Sequence, residues 1–91
     1  MTGKTIQLRF FASVREQLSC AEQVVDLPPE IATVGQVRQW LIARGGVWAE
    51  TLAPGRPLRI AYQQVMCDES EPLVFSDPSQ EVAFFPPVTG G

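Results

Sequence analysis

Apolar and polar residues alternate from Thr5 to Phe11: Ile6, Leu8 and Phe10 share one parity, and Gln7, Arg9 and Phe11 the other. A period of two marks a strand with one buried face. Ser13 to Leu18 then predicts a short helix, with Val14 and Leu18 one turn apart. Val24, Val25 and Leu27 form a second β-rich run, which Pro28-Pro29 must end because proline has no N–H for the ladder. The main helix follows. Thr33 and Gln36 make a capping box, Val34, Val37, Trp40 and Leu41 an apolar stripe, and Gly45-Gly46 a stop, with Gln36, Arg38 and Gln39 largely outside the stripe. Trp48 and Leu52 predict one more helical turn, and Pro54-Gly55 a bend.

Leu58 to Tyr62 and Gln64 to Met66 read as short strands, Asp68 to Pro72 as a solvated acidic loop, and Asp77-Pro78-Ser79 as a turn. Glu81 to Phe85 is the last strand, with Val82 and Phe84 on one face and Ala83 and Phe85 on the other. The expected class is α+β: a mixed sheet of about five strands, one main helix and short extra helices. A hairpin first and a crossing helix next fit the β-grasp, or ubiquitin-like, arrangement. Residues 1–85 form the expected domain and residues 86–91 a flexible tail that packs against nothing.

Composition then narrows the chemistry. The chain has 91 residues, which suits one domain. A net charge of −3 argues against a phosphate-backbone binder and a polybasic membrane module, so neither nucleic acid nor membrane is an expected partner. There is no histidine and a single lysine, Lys4, so no Ser-His-Asp triad, Cys-His pair or His-ligated metal site can form. Cys20 and Cys67 are read as reduced, structural thiols of a cytoplasmic protein, Asp68, Glu69 and Glu71 as too few oxygens for a metal, and Trp40 and Trp48 as core. No metal and no bound cofactor are expected.

What remains is the end of the chain. Gly90-Gly91 follows a strand that Pro86-Pro87 terminates. Glycine lacks a Cβ and fits narrow channels, while the prolines favour an extended exit. The stretch Pro86, Pro87, Val88, Thr89, Gly90, Gly91 reaches about 20 Å at about 3.3–3.6 Å per residue, enough to enter a partner's site and present the Gly91 carboxylate for activation.

The run Glu81-Val-Ala-Phe-Phe-Pro-Pro-Val-Thr-Gly-Gly91 resembles the end of the small, sulfur-carrier subunits of molybdopterin synthase. The opening Leu8-Arg-Phe-Phe-Ala-Ser-Val-Arg-Glu16 and the helix Thr33-Val-Gly-Gln-Val-Arg-Gln-Trp-Leu41 resemble the same family. The resemblance covers essentially the whole chain. It implies that an E1-like enzyme uses ATP to adenylate the Gly91 carboxylate, and that a persulfide donor converts it to a thiocarboxylate. The large synthase subunit then receives the tail and passes the sulfur to the cyclic pterin precursor, its own side chains doing the catalysis. One departure is Tyr62-Gln63-Gln64, where the family often has an Asn-containing turn. Gln tolerates positive φ less well than Asn.

A carrier needs a docking face. Phe11 and Phe85 have the parity opposite to Phe10 and Phe84, so their rings lie close together on the outside if the two strands are neighbours. Met66 is the third candidate, and Arg15 is expected to meet acids of a partner. The alternative places Phe11 or Phe85 under the shorter helix. A carrier for thiamine or another thiolation pathway (a ubiquitin-related modifier), and a β-grasp interaction module with an inert tail, are the competing functions.

Overall fold

The computed structural model describes residues 4–74 and 80–87. The elements run β1 (Lys4–Phe10), α1 (Ala12–Leu18), β2 (Glu22–Leu27), α2 (Val34–Ile42), α3 (Gly46–Thr51), β3 (Arg59–Tyr62), β4 (Val65–Cys67) and β5 (Glu81–Phe85). Five strands form one sheet in the order β2-β1-β5-β3-β4. β1 is antiparallel to β2 and parallel to β5; β3 is antiparallel to both β5 and β4. A mixed five-stranded sheet opened by a hairpin and crossed by a helix is the β-grasp. No helix among the described residues is long and apolar enough to cross a membrane.

Strand register builds the core. Leu8 lies opposite Val82 and Phe10 opposite Phe84, while Ile60 and Tyr62 continue those rows from β3. Ile6, Leu8, Phe10, Val82 and Phe84 are each at most 1% exposed. The Phe10 and Phe84 rings stack at 5.8 Å, and Trp48 meets Phe10 edge-on at 5.6 Å. Val34, Val37 and Leu41 of α2 close this layer from above. A buried side chain of this kind contributes about 1.5–3 kcal/mol.

The capping box forms. The Gln36 N–H donates to Thr33 Oγ1 at 3.2 Å, and the Thr33 and Ala32 N–H groups donate to Gln36 Oε1 at 3.2 and 2.6 Å. Two further N–H groups at this helix start, which would otherwise lack partners, are taken by the acidic loop: Val34 donates to Glu71 O at 3.0 Å and Gly35 to Glu69 O at 2.8 Å. A Cβ on Gly35 would stand 2.8 Å from Glu69 Cβ, so the close approach requires glycine.

Four expectations need correction. α2 ends at Ile42, before Gly45-Gly46, because Arg44 and Gly45 N–H groups already bond back to Leu41 and Ile42 carbonyls at 3.0 Å; Gly45, at φ 78°, instead starts α3. Arg38 is 4% exposed, not outside the stripe. Its Nε donates to Leu52 O at 2.8 Å, one terminal nitrogen to Ala53 and Arg56 carbonyls at 2.5 and 3.0 Å, and the other to Glu69 Oε2 at 2.7 Å. A buried guanidinium is tolerated because its donors are met. The acidic loop is therefore not merely solvated: it cradles the start of α2 and holds Arg38. Trp40 and Trp48 are half-buried rather than core, with the Arg44 guanidinium 5.1 and 4.5 Å from their ring centres. The predicted turn Asp77-Pro78-Ser79 lies outside the described residues.

Candidate functional site

The parity that buries Phe10 and Phe84 turns their neighbours outward. β1 ends at Phe10, and Phe11, still extended at φ −126° and ψ 152°, begins the turn into α1. Its N–H donates to Phe84 O at 3.1 Å, which holds it beside β5. The Phe11 and Phe85 rings stack at 4.8 Å with 7° between their planes, and both line an open groove. Both are half-buried. The Arg9 guanidinium lies 5.8 Å from the Phe11 ring centre and 3.9 Å from the Glu81 carboxylate.

The next row of the outer face is Arg9, Ala83, Ala61, Met66, set by pairing of β1 with β5, β5 with β3 and β3 with β4. Small residues in the middle strands give the face a low floor, and Met66, 53% exposed, stands at its edge. Phe11, Ala12, Arg59, Met66, Phe85, Pro86 and Pro87 line one open groove of ≈ 740 Å³. Three of the four expected docking residues, Phe11, Met66 and Phe85, thus share a surface. Arg15 does not line it: Arg15 is exposed in the last turn of α1, where a positive charge suits the helix end.

Arg59 stands in the groove instead. It is exposed and directly opposite Phe85 in the register. Sequence reasoning missed it, because its place follows from a pairing between residues far apart in the chain. Arg38 was within reach: four residues after Val34, it falls on the same helical face.

Pro86 and Pro87 are half-buried, against the expectation of a tail that packs on nothing. A second, smaller cleft of ≈ 140 Å³ lies on their other side, between Ser13, Val14 and Gln17 of α1 and the stretch Arg56-Pro57-Leu58. The exit of the chain from β5 is therefore walled on both sides. Val88, Thr89, Gly90 and Gly91 lie outside the described residues.

The hairpin at the rim accommodates the departure from the family pattern. Gln63 and Gln64 take φ of 54° and 67°, the two positive values that a tight two-residue turn demands. Gln63 fastens to β5 twice: its N–H donates to Glu81 O at 3.0 Å, and its Oε1 accepts from Glu81 N–H at 2.8 Å. The Tyr62 hydroxyl accepts from Val74 N–H at 2.8 Å and bonds the Gln80 side chain, tying both flanks of the connection between β4 and β5 to the sheet.

Cys20 and Cys67 are free. Burial, then the Glu71 and Asp68 carboxylates, push the Cys67 thiol above its ordinary range. The Ser70 hydroxyl and N–H donate to the Asp68 carboxylate and hold it below its ordinary range.

Comparison with known proteins agrees with this geometry. The model of the ThiS family matches residues 8–91. The molybdopterin synthase sulfur carrier subunit of Escherichia coli is 41% identical over 88 residues, covering 94% of this chain and 99% of that protein. The protein of the same name from Haemophilus influenzae is 35% identical over 86 residues, at the same two coverages. Among solved structures, a complex of subunits 1 and 2 of molybdopterin-converting factor from Helicobacter pylori matches with a TM-score of 0.60 at 20% identity, over 96% of this chain and 99% of that one. With its fold, its outward aromatic face and near full-length relatives, the chain belongs to the ThiS family.

Proposed function

We propose that this chain is the sulfur-carrier subunit of a molybdopterin synthase in the cytoplasm, with the Gly91 carboxylate as its reactive group. The observation that carries the reading is positional: β5 delivers Pro86-Pro87 directly into the groove lined by Phe11, Met66 and Phe85. A partner seated on that face meets the following residues at once, so one docking event both holds the body and threads the tail. The named relatives, and a complex of the corresponding two subunits from H. pylori, support the same assignment.

The chemistry then divides between chains. An E1-like enzyme uses ATP to make the Gly91 acyl-adenylate, because a free carboxylate resists nucleophiles. The outer sulfur of a persulfide donor displaces AMP to give an acyl disulfide, and a thiol reductant then cleaves that S–S bond, leaving Gly91 as the thiocarboxylate and the donor as a disulfide. The large synthase subunit takes the thiocarboxylate into its own catalytic site and transfers the sulfur to the cyclic pterin precursor. One chain carries one sulfur and a dithiolene needs two, so loading recurs. The carrier contributes a docking face and a glycine end, and needs no cofactor, metal, histidine or reactive thiol of its own. Phe11, Phe85 and Met66 form the centre of the docking face. Names of relatives at 41% and 35% identity favour this product over thiamine.

Incubation with the E1-like enzyme, ATP, a persulfide donor and a thiol reductant should raise the intact mass by the difference between sulfur and oxygen. An unchanged mass, beside a carrier that the same enzyme does load, would sink the proposal.

A further inference from the structure

We infer that Arg59 sets partner specificity on the docking face by taking a carboxylate of the large synthase subunit at the point where the tail leaves the body. The inference rests on the function proposed above and adds a residue and a ligand chemistry to it.

The observations concern which cations are free. Arg9 is paired with Glu81, and Arg38 is buried on Glu69 and three carbonyls. Arg44 lies against two tryptophan rings, and Arg56 donates to Glu50 O at 3.1 Å. The Arg59 guanidinium has no hydrogen-bond or ion-pair partner among the described residues, although Asp68 and Glu69 line a neighbouring cleft with it; Arg15 is likewise unpaired among the described residues, but it does not line the groove. Glu69 is engaged by Arg38, and Asp68 by Ser70.

Position completes the argument. β3 is short, and its first residue, Arg59, faces Phe85 across the ladder; the next residue of the partner chain segment is Pro86. The guanidinium thus stands in an apolar groove between Phe85, Met66 and the prolines. A docked protein would exclude water from that groove. An arginine sealed there without an anion would lose its hydration uncompensated. A partner that covers the face must therefore bring an acceptor, and the planar fork of arginine matches a carboxylate with two parallel bonds. A neutral or basic residue at that place on a competing protein would be rejected, while the aromatic and methionine contacts alone would tolerate it.

The test measures affinity for the large subunit, with the full chain, at low and high salt. Arg59→Ala is expected to weaken binding about fivefold at low salt and to flatten the salt dependence; Arg59→Glu should weaken it more than about tenfold. Arg59→Lys should keep the salt dependence with part of the affinity, since it retains the charge but not the fork. Met66→Ala should weaken binding with the salt dependence intact. Arg44→Ala, which removes the same charge from the helical side, sets the baseline for net-charge effects. Unfolding midpoints of the Arg59 variants should stay near that of the native chain. Native-like binding of Arg59→Ala and Arg59→Glu at both salt concentrations would overturn the inference alone. So would an equal loss at all salt concentrations, which would mean lost packing instead of a lost ion pair. Failure of the native chain to bind an active large subunit would overturn the function itself.

Discussion

The inner and outer faces of the sheet carry the same motif with opposite outcomes. Phe10 and Phe84 stack at 5.8 Å and are at most 1% exposed. Phe11 and Phe85, the residues that follow them in the chain, stack at 4.8 Å and stay half-buried. Chemistry and local backbone are nearly identical, so the difference is one of cover. The first pair belongs to the buried core cluster, with Trp48 of α3 edge-on to Phe10, while the second pair lines an open groove. Apolar area removed from water stabilises the fold; apolar area left at the rim is available to a partner. The ends of one strand pair thus supply both core rings and groove rings, separated by the period of two.

Phe84→Ala should produce the largest effect on the inner side, a loss of about 3–5 kcal/mol by chemical denaturation, against a whole-domain stability of roughly 5–14 kcal/mol. A loss near 1 kcal/mol would mean that the two faces differ less than described. Arg38→Ala should cost about 3 kcal/mol, since it strands the Leu52, Ala53 and Arg56 carbonyls and frees Glu69. If Arg38→Ala unfolds at the native denaturant concentration, the buried network contributes nothing to holding the loop before β3. Phe85→Ala should reverse the balance: affinity for the large subunit falls by about 2 kcal/mol, roughly thirtyfold, while stability changes by less than about 1 kcal/mol. Equal losses in both measurements would make Phe85 a core residue.

Two smaller tests sharpen the edges of the comparison. Gln64→Gly should stabilise the fold by about 0.5–1 kcal/mol, because glycine relieves a positive φ and the Gln63 clamp on Glu81 remains. Destabilisation would show that Gln64 makes contacts worth more than its strain. The Cys67 thiol, held above its ordinary range, should alkylate more slowly at neutral pH in the folded chain than in the unfolded chain. Its rate should keep rising into a more alkaline window as the thiolate forms. Equal rates would remove the argument that the thiol is inert.

Much of this was legible in the sequence because it is local. Parity along Thr5–Phe11 and Glu81–Phe85 assigns Phe10, Phe11, Phe84 and Phe85 to faces, and the Thr33–Gln36 box marks the start of the helix. The parts that were hidden depend on distant partners. The helical face of Arg38 follows from its spacing to Val34, but the partners that satisfy it, carbonyls 14 to 18 residues away and a carboxylate 31 away, do not. Arg59 enters the groove only through the register of β3 against β5. The end of α2 was misplaced because Gly45-Gly46 is a strong stop signal, yet bonds closing on Leu41 and Ile42 end the helix before it. The prolines were read as a free exit because their seat is built by α1 and the segment before β3, neither adjacent in sequence.

The central claim is that the body docks and the terminal glycine reacts. Deleting Gly91 tests it most directly, by measuring sulfur transfer to the pterin precursor alongside binding to the large subunit. The account predicts that transfer is lost, while the unfolding midpoint and the contribution of Phe85 to binding persist. Normal transfer by the shortened chain would contradict it.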